Sequence, residues 1–178
     1  MFHSHRAVAI LCLLSLSRCA ADVERAEDLI EDHEVSAHAL TRENTLFRLV
    51  NVANGQCLDA SNSGEGLDLY TWPCHGGANQ TWSFDFLDAD VRIRNQYPGK
   101  CADSGAAGGG VNVVQWPCHE LPTQRWRIRR QISEHVWVFE SRESHRCLDA
   151  ANFGNWLNVI HWDCHEGPEQ QWEVYEPL

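Results

Sequence analysis

The sequence predicts an all-β fold made of one unit used three times. Three observations predict it: a cysteine framework recurring at fixed spacing, a Gln-x-Trp closing each recurrence, and apolar residues at period two from Leu46 onward. Cys57, Cys101 and Cys147 each open a copy, and a second cysteine follows 17 residues later at Cys74, Cys118 and Cys164. Asp59, Asp103 and Asp149 stand two residues after the first cysteine. Trp72, Trp116 and Trp162 stand two residues before the second, and His75, His119 and His165 directly after it. Gln80 and Trp82, Gln124 and Trp126, and Gln170 and Trp172 complete the units. Chance does not place seven matched positions at one internal spacing three times.

Taken in order, residues 1–21 read as a secretory signal peptide. Arg6 gives the positive start, Ala7 to Leu16 the apolar run, and Cys19-Ala20-Ala21 a small-residue cleavage site. That run is about half the length needed to span a bilayer, so membrane insertion is not expected and the product is expected to be secreted and extracellular. Residues 22–45 carry eight acids against Arg25 and Arg42 and read as an acidic linker or pro-segment. Residues 46–178 form the repeated domain, with copies at about 46–90, 91–135 and 136–178. In the first copy the alternation predicts strands at Phe47 to Val52, Gln56 to Ala60, Leu67 to Pro73 and Gln80 to Phe86. The matching strands begin near Val91, Lys100, Val111 and Arg125, then near Val136, Arg146, Leu157 and Gln171. Asn54-Gly55 and Pro98-Gly99 mark turns. Twelve short strands in three equal units predict a closed trefoil-like barrel of three four-stranded repeats.

Two of the eight cysteines lie in the signal, and six divide evenly among the copies. Six cysteines allow fifteen pairings, but the repeat symmetry singles out one bridge per copy: Cys57–Cys74, Cys101–Cys118 and Cys147–Cys164. Closing such a loop stabilises by about 3 kcal/mol in the chain-entropy model. A metal site is disfavoured, because adjacent Cys and His cannot easily aim at one tetrahedral ion and no C-x-x-C is present. The net charge of -11 disfavours nucleic acid as a partner, and the basic run Arg125 to Arg130 alternates along a strand as a solvated face.

The third strand of each copy sorts residues by face. Leu67 and Leu69, Val111 and Val113, and Leu157 and Val159 are core candidates. The opposite face holds Asp68, Tyr70 and Trp72; Asn112, Val114 and Trp116; and Asn158, Ile160 and Trp162. An exposed Trp beside a cysteine-tethered turn in every copy suggests a binding surface. The residue types suit a sugar. A carboxylate accepts hydroxyls through strong charge-assisted bonds, an amide both donates and accepts, and an aromatic ring covers the C–H patch. The first copy holds Asp59, Asn79, His75 and Trp72 together.

The motifs C-L-D, W-P-C-H and N-Q-x-W resemble those of the ricin B-type lectin module, a β-trefoil whose repeats carry the Gln-x-Trp signature. The resemblance covers about residues 45–178. It implies that Trp82, Trp126 and Trp172 pack in the core while Gln80, Gln124 and Gln170 brace the fold. It implies carbohydrate contacts from Asp59, Asp103 and Asp149 and from Trp72, Trp116 and Trp162. The family's amide before the Gln matches Asn79 alone, with Thr123 and Glu169 in the other copies. Plant toxin subunits place a Gln where this chain has Tyr70, Val114 or Ile160. The chain is more similar to the lectin domains of the polypeptide GalNAc-transferases, which implies ligand contacts from His75 and His165. Galactose or N-acetylgalactosamine is the implied ligand class, on glycans or glycoproteins. Similarity to calcium-dependent haemolytic lectins leaves calcium open as a cofactor.

Each site reading has a plainer competitor. Asp59, Asp103 and Asp149 can instead brace the turn after the second strand, and the histidines can be exposed polar residues after a bridge. The second copy is the poorest, with C-A-D, the run Gly108 to Gly110, and Thr123. Trp137 and Trp156 fall outside the pattern and are expected to be partly buried. Asn79-Gln80-Thr81 is also the chain's one N-glycosylation sequon. Its place between a bridge and the core predicts no efficient modification, since a glycan there would remove the amide from the first site. An enzyme is disfavoured. Asp149 and Glu169 are the one carboxylate pair in a single pocket, nothing suggests a raised pKa in either, and no nucleophile motif is present. A non-sugar trefoil, such as a protease inhibitor or structural subunit, is the alternative, and a separately encoded partner subunit stays open.

Overall fold

The computed structural model describes residues 45–60, 64–105, 111–151 and 158–175. The expected signal, nearly all of the acidic segment, Gly108 to Gly110, Trp156 and Leu157 lie outside these residues. The first copy supplies β1 (Leu46–Asn51), β2 (Cys57–Asp59), β3 (Leu67–Asp68), β4 (Tyr70–Trp72) and β5 (Trp82–Leu87). The second supplies β6 (Asp90–Asn95), β7 (Cys101–Asp103), β8 (Val111–Asn112), β9 (Val114–Trp116) and β10 (Trp126–Gln131). The third supplies β11 (Val136–Ser141), β12 (Cys147–Ala150), β13 (Val159–Trp162) and β14 (Trp172–Tyr175).

The long strands close a barrel. Strand β1 pairs with β5 and β14, β5 with β6, β6 with β10, β10 with β11, and β11 with β14, all antiparallel. Closure removes the unpaired edges that an open sheet would present. The short hairpins β2–β4, β7–β9 and β12–β13 lie outside this ring. They interlock in a cycle: β3 pairs with β9, β8 with β13, and Asn158 bridges back to Tyr70. The expected β-trefoil is the observed fold, and the expected bridges Cys57–Cys74, Cys101–Cys118 and Cys147–Cys164 are formed.

Two strand expectations are corrected. The third strand breaks at Leu69 and Val113, because its backbone there turns to the neighbouring copies. Leu69 N–H donates to the Val113 carbonyl (2.8 Å), Val113 to Val159 (2.8 Å) and Val159 to Leu69 (2.9 Å), a three-membered ring of bonds. Leu67 and Val111, expected in the core, are 37% and 36% exposed. They lie beyond this junction and pair with Gln115 and His161 at the rim. The fourth strand starts at the Trp of Gln-x-Trp, since the residues before it form short 3-10 turns, Ala78–Gln80, Pro122–Gln124 and Pro168–Gln170.

The core follows the pattern otherwise. Trp82, Trp126 and Trp172 are fully buried, and their indole N–H groups donate to the carbonyls of Leu58 (2.9 Å), Ala102 (3.0 Å) and Leu148 (3.0 Å). A buried indole requires such a partner. Leu49, Leu58, Leu69, Ile93, Val113, Leu148 and Val159 are buried with them. Trp137 is buried rather than partly so, stacked against Phe84. Ile160, expected on the outer face, is also buried, between Asp149 and Asn112. The turns before β2 and β7 place Gly55 and Gly99 at positive φ, and His145 takes the same conformation before β12. Glycine adopts it without a side-chain penalty.

Candidate functional site

Each candidate carboxylate sits at the end of the second strand of its copy, where the 3-10 turn meets it. The turn's closing Gln joins the two. Gln80 Nε2 donates to Asp59 Oδ2 (2.7 Å) and to the Pro73 carbonyl (3.1 Å), while Oε1 accepts the N–H of His75 (2.8 Å). Gln124 does the same with Asp103 (3.0 Å), the Pro117 carbonyl (3.0 Å) and the N–H of His119 (2.9 Å). Gln170 repeats it with Asp149 (2.8 Å), the Asp163 carbonyl (3.0 Å) and the N–H of His165 (2.9 Å). A buried amide with every group engaged fixes the turn, the strand end and the post-cysteine segment together.

Asp59, Asp103 and Asp149 are consequently buried, at 1%, 6% and 5% exposure. Their remaining partners differ. Asn79 Nδ2 donates to Asp59 Oδ1 (2.7 Å), so the first copy unites the amide and carboxylate that the sequence placed together. Asp103 accepts Thr123 Oγ1 (3.2 Å) on Oδ2 and the Gly105 N–H (2.8 Å) on Oδ1. Burial, the largest effect, pushes the Asp149 carboxyl up from its usual value. The Gln170 bond and the His165 ring oppose this, and Glu169 adds to it. Nothing in the sequence suggests a raised pKa at Asp149, yet its carboxyl is desolvated and faces a like charge.

The histidines all take one pose. His75 Nε2 lies 3.4 Å from Asp59 Oδ2, His119 Nε2 lies 3.1 Å from Asp103 Oδ2, and His165 Nε2 lies 3.4 Å from Asp149 Oδ2. On the other side Nδ1 accepts the backbone N–H of Gly77 (3.1 Å), Leu121 (3.3 Å) and Gly167 (3.0 Å). Trp72, Trp116 and Trp162 are 50%, 41% and 44% exposed, on the outward face of their hairpins. Each pairs directly across from the cysteine that opens its copy, Cys57, Cys101 or Cys147, so the ring stands two residues along from the aspartate.

Several contributors were not singled out from the sequence. Arg92 Nη1 donates to the His119 carbonyl (3.1 Å) and to Glu120 Oε1 (2.9 Å). Arg129 and Arg130 hold Glu166, at 3.3 and 2.6 Å. Glu120 and Glu166 occupy the same place, two residues after the second cysteine, where the first copy has Gly76; that match was the available signal. Arg125 faces Glu120 (3.8 Å), and Arg127 and Arg129 bind the buried Glu140, so the basic run is matched by acids. Among the described residues no cluster of three or more His, Cys, Asp or Glu is placed to hold a metal ion, and no helix is long and apolar enough to cross a membrane.

The model of the ricin-type beta-trefoil lectin domain family matches residues 45–172. The designed three-fold symmetric protein ThreeFoil is similar at 26% identity and a TM-score of 0.69, over 74% of this chain and 98% of that one. A Macrolepiota procera ricin B-like lectin, solved in complex with lactose, is 22% identical with a TM-score of 0.65, over 77% of this chain and 99% of that one. An exo-beta-1,3-galactanase from Clostridium thermocellum is 20% identical with a TM-score of 0.69, over 75% of this chain. This chain spans only 30% of the galactanase's length. Comparison with curated proteins returns no match.

Proposed function

The chain belongs to the family of ricin-type beta-trefoil lectin domains, and from that premise we propose that it is a secreted, non-catalytic lectin for galactose- or N-acetylgalactosamine-type glycans. The observation that carries the reading is the first copy's juxtaposition of Asp59, Asn79 and His75 beside the half-exposed ring of Trp72. A carboxylate offers about four lone-pair sites, of which Asn79 and Gln80 occupy two at Asp59 and His75 Nε2 approaches a third. A sugar hydroxyl completes the set, and the Trp72 ring covers the adjacent C–H face. The first copy is the fullest site. The third follows, with Asp149, Trp162 and His165, and the second is the poorest, since Thr123 and Gly105 already engage Asp103. The reading takes residues 1–21 as the export signal and Asn79 as free of glycan. The lactose complex of the Macrolepiota lectin lends support to the ligand class.

Titration calorimetry of the mature chain with lactose tests it. Trp72 is half exposed, so Trp72→Ala removes the platform without disturbing the core, and a weakening of about five- to thirtyfold at the first site is expected from loss of an aromatic anchor. Asp59→Asn removes the charge-assisted bonds and is expected to weaken it at least as much. Full-strength binding in both variants would place the ligand elsewhere.

A further inference from the structure

We infer that His75, His119 and His165 are positioning residues: each holds the site carboxylate from the side and gives no hydrogen bond to the ligand. This rests on the carbohydrate-binding reading above and assigns the histidines a different task from the ligand contact that the family resemblance implies. The argument is one of orientation. In all three copies Nδ1 lies against a backbone N–H, that of Gly77, Leu121 or Gly167. An N–H can only donate, so Nδ1 accepts and carries no proton. The neutral ring therefore bears its one hydrogen on Nε2. Nε2 lies within ion-pair distance of Oδ2 of Asp59, Asp103 or Asp149, at 3.4, 3.1 and 3.4 Å.

Both ring nitrogens are turned toward the chain's own groups, Nδ1 to the turn and Nε2 to the carboxylate. At His119, Gln124 Nε2 also lies 3.0 Å from the ring. Its two hydrogens already go to Asp103 and the Pro117 carbonyl, so it offers the ring nothing. The backbone reinforces the pose from both sides. The histidine's own N–H is fixed on the Gln of Gln-x-Trp, and its Nδ1 on the turn that follows. The histidine thus ties the segment after the second cysteine to the carboxylate, and the carboxylate's orientation is what a sugar hydroxyl would read.

Long-range proton–nitrogen spectra of the full chain, labelled at histidine, give the tautomers directly at about pH 7.5. The expected result is the Nε2–H form at His75, His119 and His165 in the free chain, retained when lactose saturates the indole signal of Trp72. A Nδ1–H form in the free chain, or a change of tautomer on saturation, overturns the inference. If lactose moves no tryptophan signal, the carbohydrate reading fails while the Nε2–H form persists, so the two failures are separable. A pair of variants adds a second readout. His75→Ala is expected to weaken lactose at the first site about tenfold, and His75→Gln, whose amide can still donate to Asp59, to recover to within about threefold of wild type. Equal loss in both variants overturns the positioning role.

Discussion

His161 fills the position that Thr71 and Gln115 hold in the other two copies, and it is fully buried. Its Nδ1 meets Ser144 Oγ at 2.8 Å, and its Nε2 is buried without a hydrogen-bond partner among the described residues. Burial first, and the charge of Arg146 second, push its pKa below the usual histidine value. Below about pH 6.5 the unfolded chain therefore takes up a proton that the folded chain resists. The resulting stability is present above that pH and is lost as pH falls through the folded value. Asp149 acts with the opposite sign: its raised pKa makes the folded state the better proton acceptor, so its contribution fades as pH rises through the raised value. Urea unfolding of wild type and His161→Gln separates the two, because Asp149 is common to both. The wild type is expected to lose more stability than the variant between about pH 7 and pH 5.5. Parallel losses would show that His161 does not titrate across the transition.

At the scale of the element, the 3-10 turn that ends in Gln80 does more than its three residues suggest. It ties β2, the post-cysteine segment and the entry to β5 through one buried amide. Gln80→Ala leaves the Asp59 carboxylate, the Pro73 carbonyl and the His75 N–H each short of a partner, and a loss of about 2–4 kcal/mol is expected in denaturant unfolding. A loss within about 0.5 kcal/mol, the range of ordinary surface changes, would contradict the bracing role. The turn was not legible as a turn in the sequence. Period-two alternation ran on through Gln80, and alternation reports which side a residue faces without reporting where its backbone bonds. The breaks at Leu69 and Val113 were hidden for the same reason, since their partners Val113 and Val159 are set by the three-fold arrangement and not by local sequence. The bridges and the exposed Trp72, Trp116 and Trp162 were legible because repetition marks each of them three times, and the core role of Trp82, Trp126 and Trp172 through the family resemblance. The aspartates were found, but not their burial under the Gln and His side chains. The arginine clasps on Glu120 and Glu166 join residues distant in sequence and show no repeat in the first copy, where Gly76 stands instead.

Across the whole molecule, the closed barrel holds three versions of one constellation around a common axis, and their differences are at the rim. A rigid body with more than one weak site gains against clustered glycans through effective concentration, without any new contact. The bridges Cys57–Cys74, Cys101–Cys118 and Cys147–Cys164 and the buried Gln-x-Trp residues supply the rigidity, while Asn79, Thr123 and Glu169 make the copies unequal. The most direct measurement of the central claim is a glycan array probed with the chain and with the triple variant Trp72→Ala, Trp116→Ala, Trp162→Ala, each with calcium and with chelator. Binding confined to glycans ending in galactose or N-acetylgalactosamine, and lost in the triple variant, is the predicted result. Binding to no glycan, or binding that survives removal of all three rings, would contradict it.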